Sequence, residues 1–162
     1  MAMNDISVDF EQFYLLVQTL AQKIEKTDWQ PDYIVGVVGS GAIAAVMLGV
    51  MLDKPVWTLK VNLTDPEQCE CNAWMPDDAV NGKNILVVDA VNSTGDIFHW
   101  IEKDWHSSVA GIANPSWDTI WNFNIRLAVL VDNPDSAYPV DFTGIRTSFT
   151  ACKFPWDRKK IS

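Results

Sequence analysis

From Asn84 to Phe98 the chain reads Asn-Ile-Leu-Val-Val-Asp-Ala-Val-Asn-Ser-Thr-Gly-Asp-Ile-Phe. An apolar run stops at a carboxylate, Asp89, a polar turn ends in Thr94-Gly95, and a helix-like pattern begins at Asp96. Few architectures accept that order. It describes a buried strand that delivers a short loop to a helix N-terminus. Unpaired N–H groups and the positive end of the helix dipole then make an anion site. Asp89 cannot itself bind a phosphate, so its natural partner is a hydroxyl pair or a hydrated metal ion. A phosphate cradle beside such an acid suits a sugar phosphate.

The rest of the chain alternates in the same manner. Phe10, Phe13, Val17, Leu20 and Ile24 form one helical stripe, with Asp9 and Gln12 placed as a capping box. Trp29-Gln30-Pro31-Asp32 reads as a turn before a strand from Tyr33 to Val38. Gly39-Ser40-Gly41 reads as a tight corner, and Ala42 to Leu52 as a buried helix. A second strand is expected from Val56 to Leu63. Thr64 to Gly82, polar and acidic, is expected to be a long mobile loop. The third strand runs from Ile85 to Val88, a helix from Asp96 to about Trp105, and a further strand from Arg126 to Val131. Asn114-Pro115-Ser116 and Asn133-Pro134-Asp135 are turns, and Trp117 to Trp121 suits a short helix. Strands alternating with helices predict an α/β fold with a Rossmann-like parallel sheet, flanked by helices, whose ligands bind at the carboxyl ends of its strands. Neither a linker nor a repeat interrupts residues 1–162, so a single domain is expected.

Charge narrows the partners. The 21 acidic and 12 basic side chains give a net charge of −9, and no basic run is present. Nucleic-acid binding by phosphate neutralisation is therefore not expected. An anionic ligand has to be met locally, by backbone amides, a helix end or Mg²⁺. Cys69, Cys71 and Cys152 do not form a disulfide framework, and Met1 to Asp9 lacks a signal-peptide pattern, so a reducing, cytoplasmic setting is expected. The uncharged stretch Ile34 to Leu52 is long enough to span a membrane, but Gly36, Gly39, Ser40 and Gly41 break it into strand, turn and helix.

On these residues the chain resembles the type I phosphoribosyltransferases. The segment Asp89 to Ile97 looks like that family's phosphoribosyl-pyrophosphate (PRPP) motif, and Asp32-Tyr33-Ile34-Val35-Gly36 with its following corner resembles the first strand and pyrophosphate loop. Lys83-Asn84, Pro139-Val140-Asp141-Phe142 and Phe154-Pro155-Trp156-Asp157 are similar to the xanthine/hypoxanthine-type members. The resemblance implies a core sheet with a small C-terminal hood, Mg²⁺ dependence, a homodimer and a place in nucleotide salvage. The implied reaction is transfer of 5-phosphoribose from PRPP to a purine-like base, with release of pyrophosphate. It implies that Asp89 holds the ribose hydroxyls and the metal ion. Asn92, Ser93, Thr94, Gly95 and Asp96 would wrap the 5-phosphate, and Gly39, Ser40 and Gly41 would meet the pyrophosphate. It puts Ser93 where a proton-accepting acid often stands, and Asn133 and Cys152 beside the base.

The chain departs from the family pattern at several of these positions. Ala90 replaces the second acid of the motif, Ser93 the acid before Thr-Gly, and Ile97 the last Thr. Gly39 stands for the usual Arg, Asn133 for the usual Lys, and Thr150-Ala151 where a base-stacking aromatic is expected. The alternative is accordingly a protein of the same fold that binds PRPP or a nucleotide as a sensor without turnover.

Two rival patterns are present. Gly39-Ser40-Gly41-Ala42-Ile43-Ala44 matches a dinucleotide-binding fingerprint, but the nearest acid after the second strand is Asp65, out in a loop. Cys69, Cys71, His99 and His106 could be assembled into a zinc site only at an unusual spacing. Of the eight tryptophans, Trp117 and Trp121 sit one helical turn apart, as expected of a packed core or an interface. The surrounding Ser107 to Asn124 segment could alternatively form a lid over the base.

Overall fold

In the computed structural model, which describes residues 4–70, 72–112 and 116–157, the chain alternates as the sequence suggests. Its central strand is the apolar run itself. Strand β1 (Ile6–Ser7) leads to α1 (Phe10–Glu25), β2 (Tyr33–Val37), α2 (Ser40–Leu52) and β3 (Val56–Leu59). A single 3₁₀ turn (Pro66–Gln68) precedes α3 (Trp74–Val80), β4 (Ile85–Asn92) and α4 (Asp96–Val109). A short α5 (Trp117–Thr119) runs into a π-helical turn (Ile120–Asn124), then β5 (Ile125–Asp132), β6 (Phe142–Arg146) and β7 (Cys152–Lys153). Among the described residues, the main sheet is parallel throughout, in the order β3-β2-β4-β5-β6.

A parallel sheet has both faces covered, so its strands carry apolar residues on both sides. Leu86 and Val88 of β4 face α1 and α2, joining Phe13, Leu20, Ile24, Ala45 and Leu48. Ile85 and Val87 face α3 and α4, joining Met75, Phe98, Ile101 and Trp105. Helix α1 starts as expected: the Asp9 carboxylate accepts from the Gln12 amide at 2.8 Å, and the Gln12 side chain accepts from the Asp9 amide at 2.9 Å.

The expected mobile loop from Thr64 to Gly82 is corrected in its second half. Residues Trp74–Val80 are helical because Met75 and Ala79, four residues apart, are buried against α4 and the sheet. Trp74 packs across Trp57 at 5.3 Å, and the Tyr33 hydroxyl donates to Asp78 at 3.0 Å. The second strand stops at Leu59 rather than Leu63, while the motif strand extends to Asn92 and α4 to Val109. The lid reading of Ser107 to Asn124 is also corrected. Trp117 and Trp121 are buried beside Trp105, and the turn that carries them leads into the start of β5, the end of the strand remote from the ligand-binding end. The expected turn at Asn114-Pro115 and the residue Cys71 lie outside the described residues.

Strands β1 and β7 pair in parallel, Ile6 with Cys152 and Ser7 with Lys153, and form a small separate ribbon beside α1. No helix among the described residues is long and apolar enough to cross a membrane.

Candidate functional site

Strands β2 and β4 are neighbours, so the loops leaving their carboxyl ends lie side by side. The first loop opens with Gly39 at φ 108° and passes into α2 at Ser40. The next residue, Gly41, fits against the end of β4. A Cβ there would lie 2.9 Å from both an Asp89 carboxylate oxygen and the Val88 carbonyl, so any side chain would drive α2 off the strand. The fold thus brings the pyrophosphate-loop candidates and Asp89 together, as expected.

Asp89 is partly buried, and among the described residues its carboxylate accepts one hydrogen bond, at Oδ1 from the Ala90 amide at 2.7 Å. Burial pushes its carboxyl up to about 6, with the Ala90 amide pulling weakly the other way. Among the described residues no cationic side chain pairs with it. A partly buried carboxylate whose second oxygen is engaged by no protein donor can take hydroxyl donors or a cation.

The second loop leaves β4 through Asn92 and turns at Gly95, which sits at φ 91°. A Cβ at Gly95 would overlap Tyr138 and come within 3.1 Å of the Ser136 hydroxyl, so the position demands glycine twice over. Ser93, Thr94 and Asp96 are exposed. The Thr94 hydroxyl oxygen accepts from the Asp96 amide at 3.3 Å. Among the described residues, the amides of Ser93, Thr94, Gly95, Ile97 and Phe98 donate to no protein acceptor, and neither do those of Gly39, Ser40 and Gly41. A cavity of about 100 Å³ lies over the second loop, walled by Leu63, Val91 and residues 92–98. Open amides, a helix N-terminus and a concavity make an anion site.

Asn92 does not present its side chain to that cavity. Its amide nitrogen donates to Asp132 at 2.9 Å and to the Tyr138 carbonyl at 2.8 Å, and its oxygen accepts from Ser136 at 3.1 Å. Arg146 neutralises Asp132 at 3.3 Å. Asn92 therefore braces the loop from beneath. Sequence reasoning missed Asp132, Ser136 and Tyr138 as parts of this brace, and the signal available for them was limited to the turn residues between Asp132 and Tyr138. Tyr138 is itself fixed by a hydrogen bond to Glu102 of α4, and burial raises its hydroxyl above the ordinary tyrosine range.

The base-side candidates are less well assembled. The Asn133 side-chain oxygen accepts from the Asp135 amide at 3.1 Å, capping its own turn. Cys152 lies in β7 and packs against the α1-side core, where burial raises its thiol to about 11. The Ser93 side chain is exposed and its hydroxyl makes no hydrogen bond among the described residues, which leaves it able to donate or accept.

The rival patterns fare poorly. Strand β3 ends at Leu59, with Asp65 well beyond it, so the acid required by a dinucleotide site is not at the strand end. Cys69 is hydrogen-bonded within its own loop, to Asn62, and no cluster of three or more metal-ligating side chains occurs among the described residues.

No family model and no curated protein matches the chain. Solved structures do. A purine phosphoribosyltransferase from Pyrococcus horikoshii superposes with a TM-score of 0.73 at 21% identity, covering 99% of each chain. The chain has the phosphoribosyltransferase fold. A xanthine-guanine-hypoxanthine phosphoribosyltransferase from Helicobacter pylori gives 0.70 at 16% identity, over 96% of this chain and 93% of that one. A hypothetical protein from Neisseria gonorrhoeae with bound ppGpp gives 0.69 at 20% identity, over 99% and 93%. In a phosphoribosyltransferase fold, the Asn92–Asp96 loop and the Gly39–Gly41 loop occupy the carboxyl end of the sheet, where open α/β sheets hold their ligands.

Proposed function

We propose that this protein is a phosphoribosyltransferase that takes PRPP and a purine-like base. The observation that carries this reading is Asp89. It is a partly buried carboxylate without a cationic partner, flanked by two loops whose amides lack acceptors. PRPP matches that arrangement, with a phosphate at each end and a diol between. The amides of Ser93, Thr94, Gly95, Ile97 and Phe98 wrap the 5-phosphate, Asp89 accepts from the ribose hydroxyls, and the Gly39–Gly41 amides take the pyrophosphate.

Among the described residues Asp89 alone would hold Mg²⁺, so the ion would depend on the substrate's own oxygens for the rest of its shell. One carboxylate oxygen of Asp89 is available and the diphosphate supplies further oxygens, which is how Mg²⁺ is often held at phosphate sites. When bound, the ion would neutralise the charge that collects on the departing pyrophosphate. The chain's own contribution is positional: a sugar held at both ends cannot drift as positive charge grows on its ring, and amides fixed in advance stabilise the leaving anion.

Calorimetry with PRPP and Mg²⁺, followed by pyrophosphate release across a panel of purine bases, tests the reading. Binding with release from one base supports it; no binding of PRPP ends it. Thr94→Ala is expected to weaken sugar-phosphate binding by about 1–2 kcal/mol, through loss of the hydroxyl donor, and calorimetry reads that directly. Unchanged affinity would place the phosphate elsewhere.

The second reading, a PRPP or nucleotide sensor, is favoured by the base side of the site. Asn133 is occupied with its own turn, and the Ser93 hydroxyl is hydrogen-bonded to no base among the described residues. The Neisseria gonorrhoeae structure with ppGpp shows that a protein of this fold holds a guanosine polyphosphate. Tight PRPP binding with no release from any base selects this reading.

A further inference from the structure

We propose that Trp156 is a positioning residue for the pyrophosphate side of the site, aiming the Ser40 hydroxyl at the anion. The inference rests on the phosphoribosyltransferase reading above. The indole Nε1 of Trp156 donates to Ser40 Oγ at 2.8 Å, across 116 residues of sequence. An indole nitrogen only donates, so the Ser40 hydroxyl has to accept. Its own hydrogen is then left to donate, and among the described residues it finds no protein acceptor. Ser40 stands between Gly39 and Gly41, whose amides are also without acceptors. With one lone pair fixed by the indole, the hydroxyl can no longer turn freely, and its hydrogen is confined to the arc away from Trp156.

The indole is held firmly enough to serve. Its ring stacks on Phe154 at 5.4 Å and 4°, and meets Phe13 edge-on at 4.8 Å and 89°. Phe154 is buried, and its amide donates to the Asp157 carboxylate at 2.7 Å, closing the turn that carries Trp156. The ribbon of β1 and β7 ties this segment to the start of α1.

Simple satisfaction of an indole N–H does not explain the contact. Trp29, Trp105 and Trp117 have buried Nε1 atoms that meet no protein acceptor among the described residues, so an indole of this fold does not find one by default. Trp156 is only partly buried and could have turned its nitrogen to water. It bonds instead to the one hydroxyl in the Gly39–Gly41 loop.

The test is a double-mutant cycle read by calorimetry on the full chain, with Trp156→Phe, Ser40→Ala and both together. Trp156→Phe keeps a ring in the aromatic stack and removes the donor. Two probes are titrated with Mg²⁺ present: pyrophosphate, which needs the Gly39–Gly41 loop, and ribose 5-phosphate, which needs only the Thr94 loop and Asp89. The expected result is a three- to tenfold weaker pyrophosphate affinity in each single variant, no further loss in the double variant, and unchanged ribose 5-phosphate binding in Trp156→Phe. The proposal is overturned if Trp156→Phe binds pyrophosphate like the parent, if the two losses multiply, or if both probes weaken together. A parent protein that binds neither PRPP nor pyrophosphate removes the site reading itself. A parent that binds both while Trp156→Phe changes nothing removes only the role of the tryptophan.

Discussion

Asp89→Asn is expected to make the ligand-free protein more stable while depriving it of Mg²⁺-dependent PRPP binding. The carboxyl, pushed up to about 6 by burial, lies some two units above a free aspartate. Above pH 6 the folded state holds this group ionised in a poorly solvated place, whereas the unfolded chain gives it to water, so folding is penalised by about 1–3 kcal/mol. As pH falls through 6 towards 4 the folded protein takes up the proton first, and the penalty fades. The asparagine carries no such charge and keeps the oxygen that accepts from Ala90. Urea denaturation of both proteins at pH 8 and pH 5 checks the sign: the variant should be the more stable at pH 8, with the gap narrowing at pH 5. PRPP affinity should fall at least tenfold, since a neutral amide neither neutralises Mg²⁺ nor accepts strongly from two hydroxyls. An asparagine variant no more stable at pH 8 would mean that the carboxylate is already compensated within the fold.

Gly95→Ala is expected to produce the largest loss of stability among changes at the site, about 2–5 kcal/mol, and to abolish phosphate binding. A left-handed backbone costs an alanine roughly 1–2 kcal/mol, and the added methyl would overlap Tyr138, for about 1–3 kcal/mol more. Relief of that overlap would displace either the loop or the 136–138 turn, and both lie on the Asn92 brace. Gly82→Ala supplies the comparison: it has a similar φ of 98° but open space around it, so it should lose only the backbone part. Denaturation midpoints for the pair measure the difference. Equal losses would show that the contact with Tyr138 is yielding.

These two residues also show what a sequence discloses and what it withholds. The strand from Ile85, the loop and the helix from Asp96 were legible because each announces itself locally, by an apolar run, a polar turn ending in Gly95 and a helix-like pattern, though strand and helix run further than expected, to Asn92 and Val109. The parallel sense of the sheet followed from alternation, whereas its strand order did not. Helix α3 was not legible, since seven residues with a proline among them carry little periodic signal, and only the contacts of Met75, Trp74 and Asp78 make them helical. At the site, Asp89, Thr94 and Gly95 could be named from spacing. The inward turn of the Asn92 side chain could not, because its partners lie 40 to 46 residues away. The indole on Ser40 is remoter still.

The ribbon formed by Ile6–Ser7 and Cys152–Lys153 has a temporal consequence. During synthesis the central strand, its loop and α4 emerge long before residue 152. All the residues of the phosphate cradle, including its brace at Asp132, Ser136 and Tyr138, are therefore made before the strand partner of the N-terminal segment. Closing that ribbon, and with it seating the indole beside Ser40, needs residues from both ends of the chain, so the pyrophosphate end of the cleft draws on later-made residues than the sugar end.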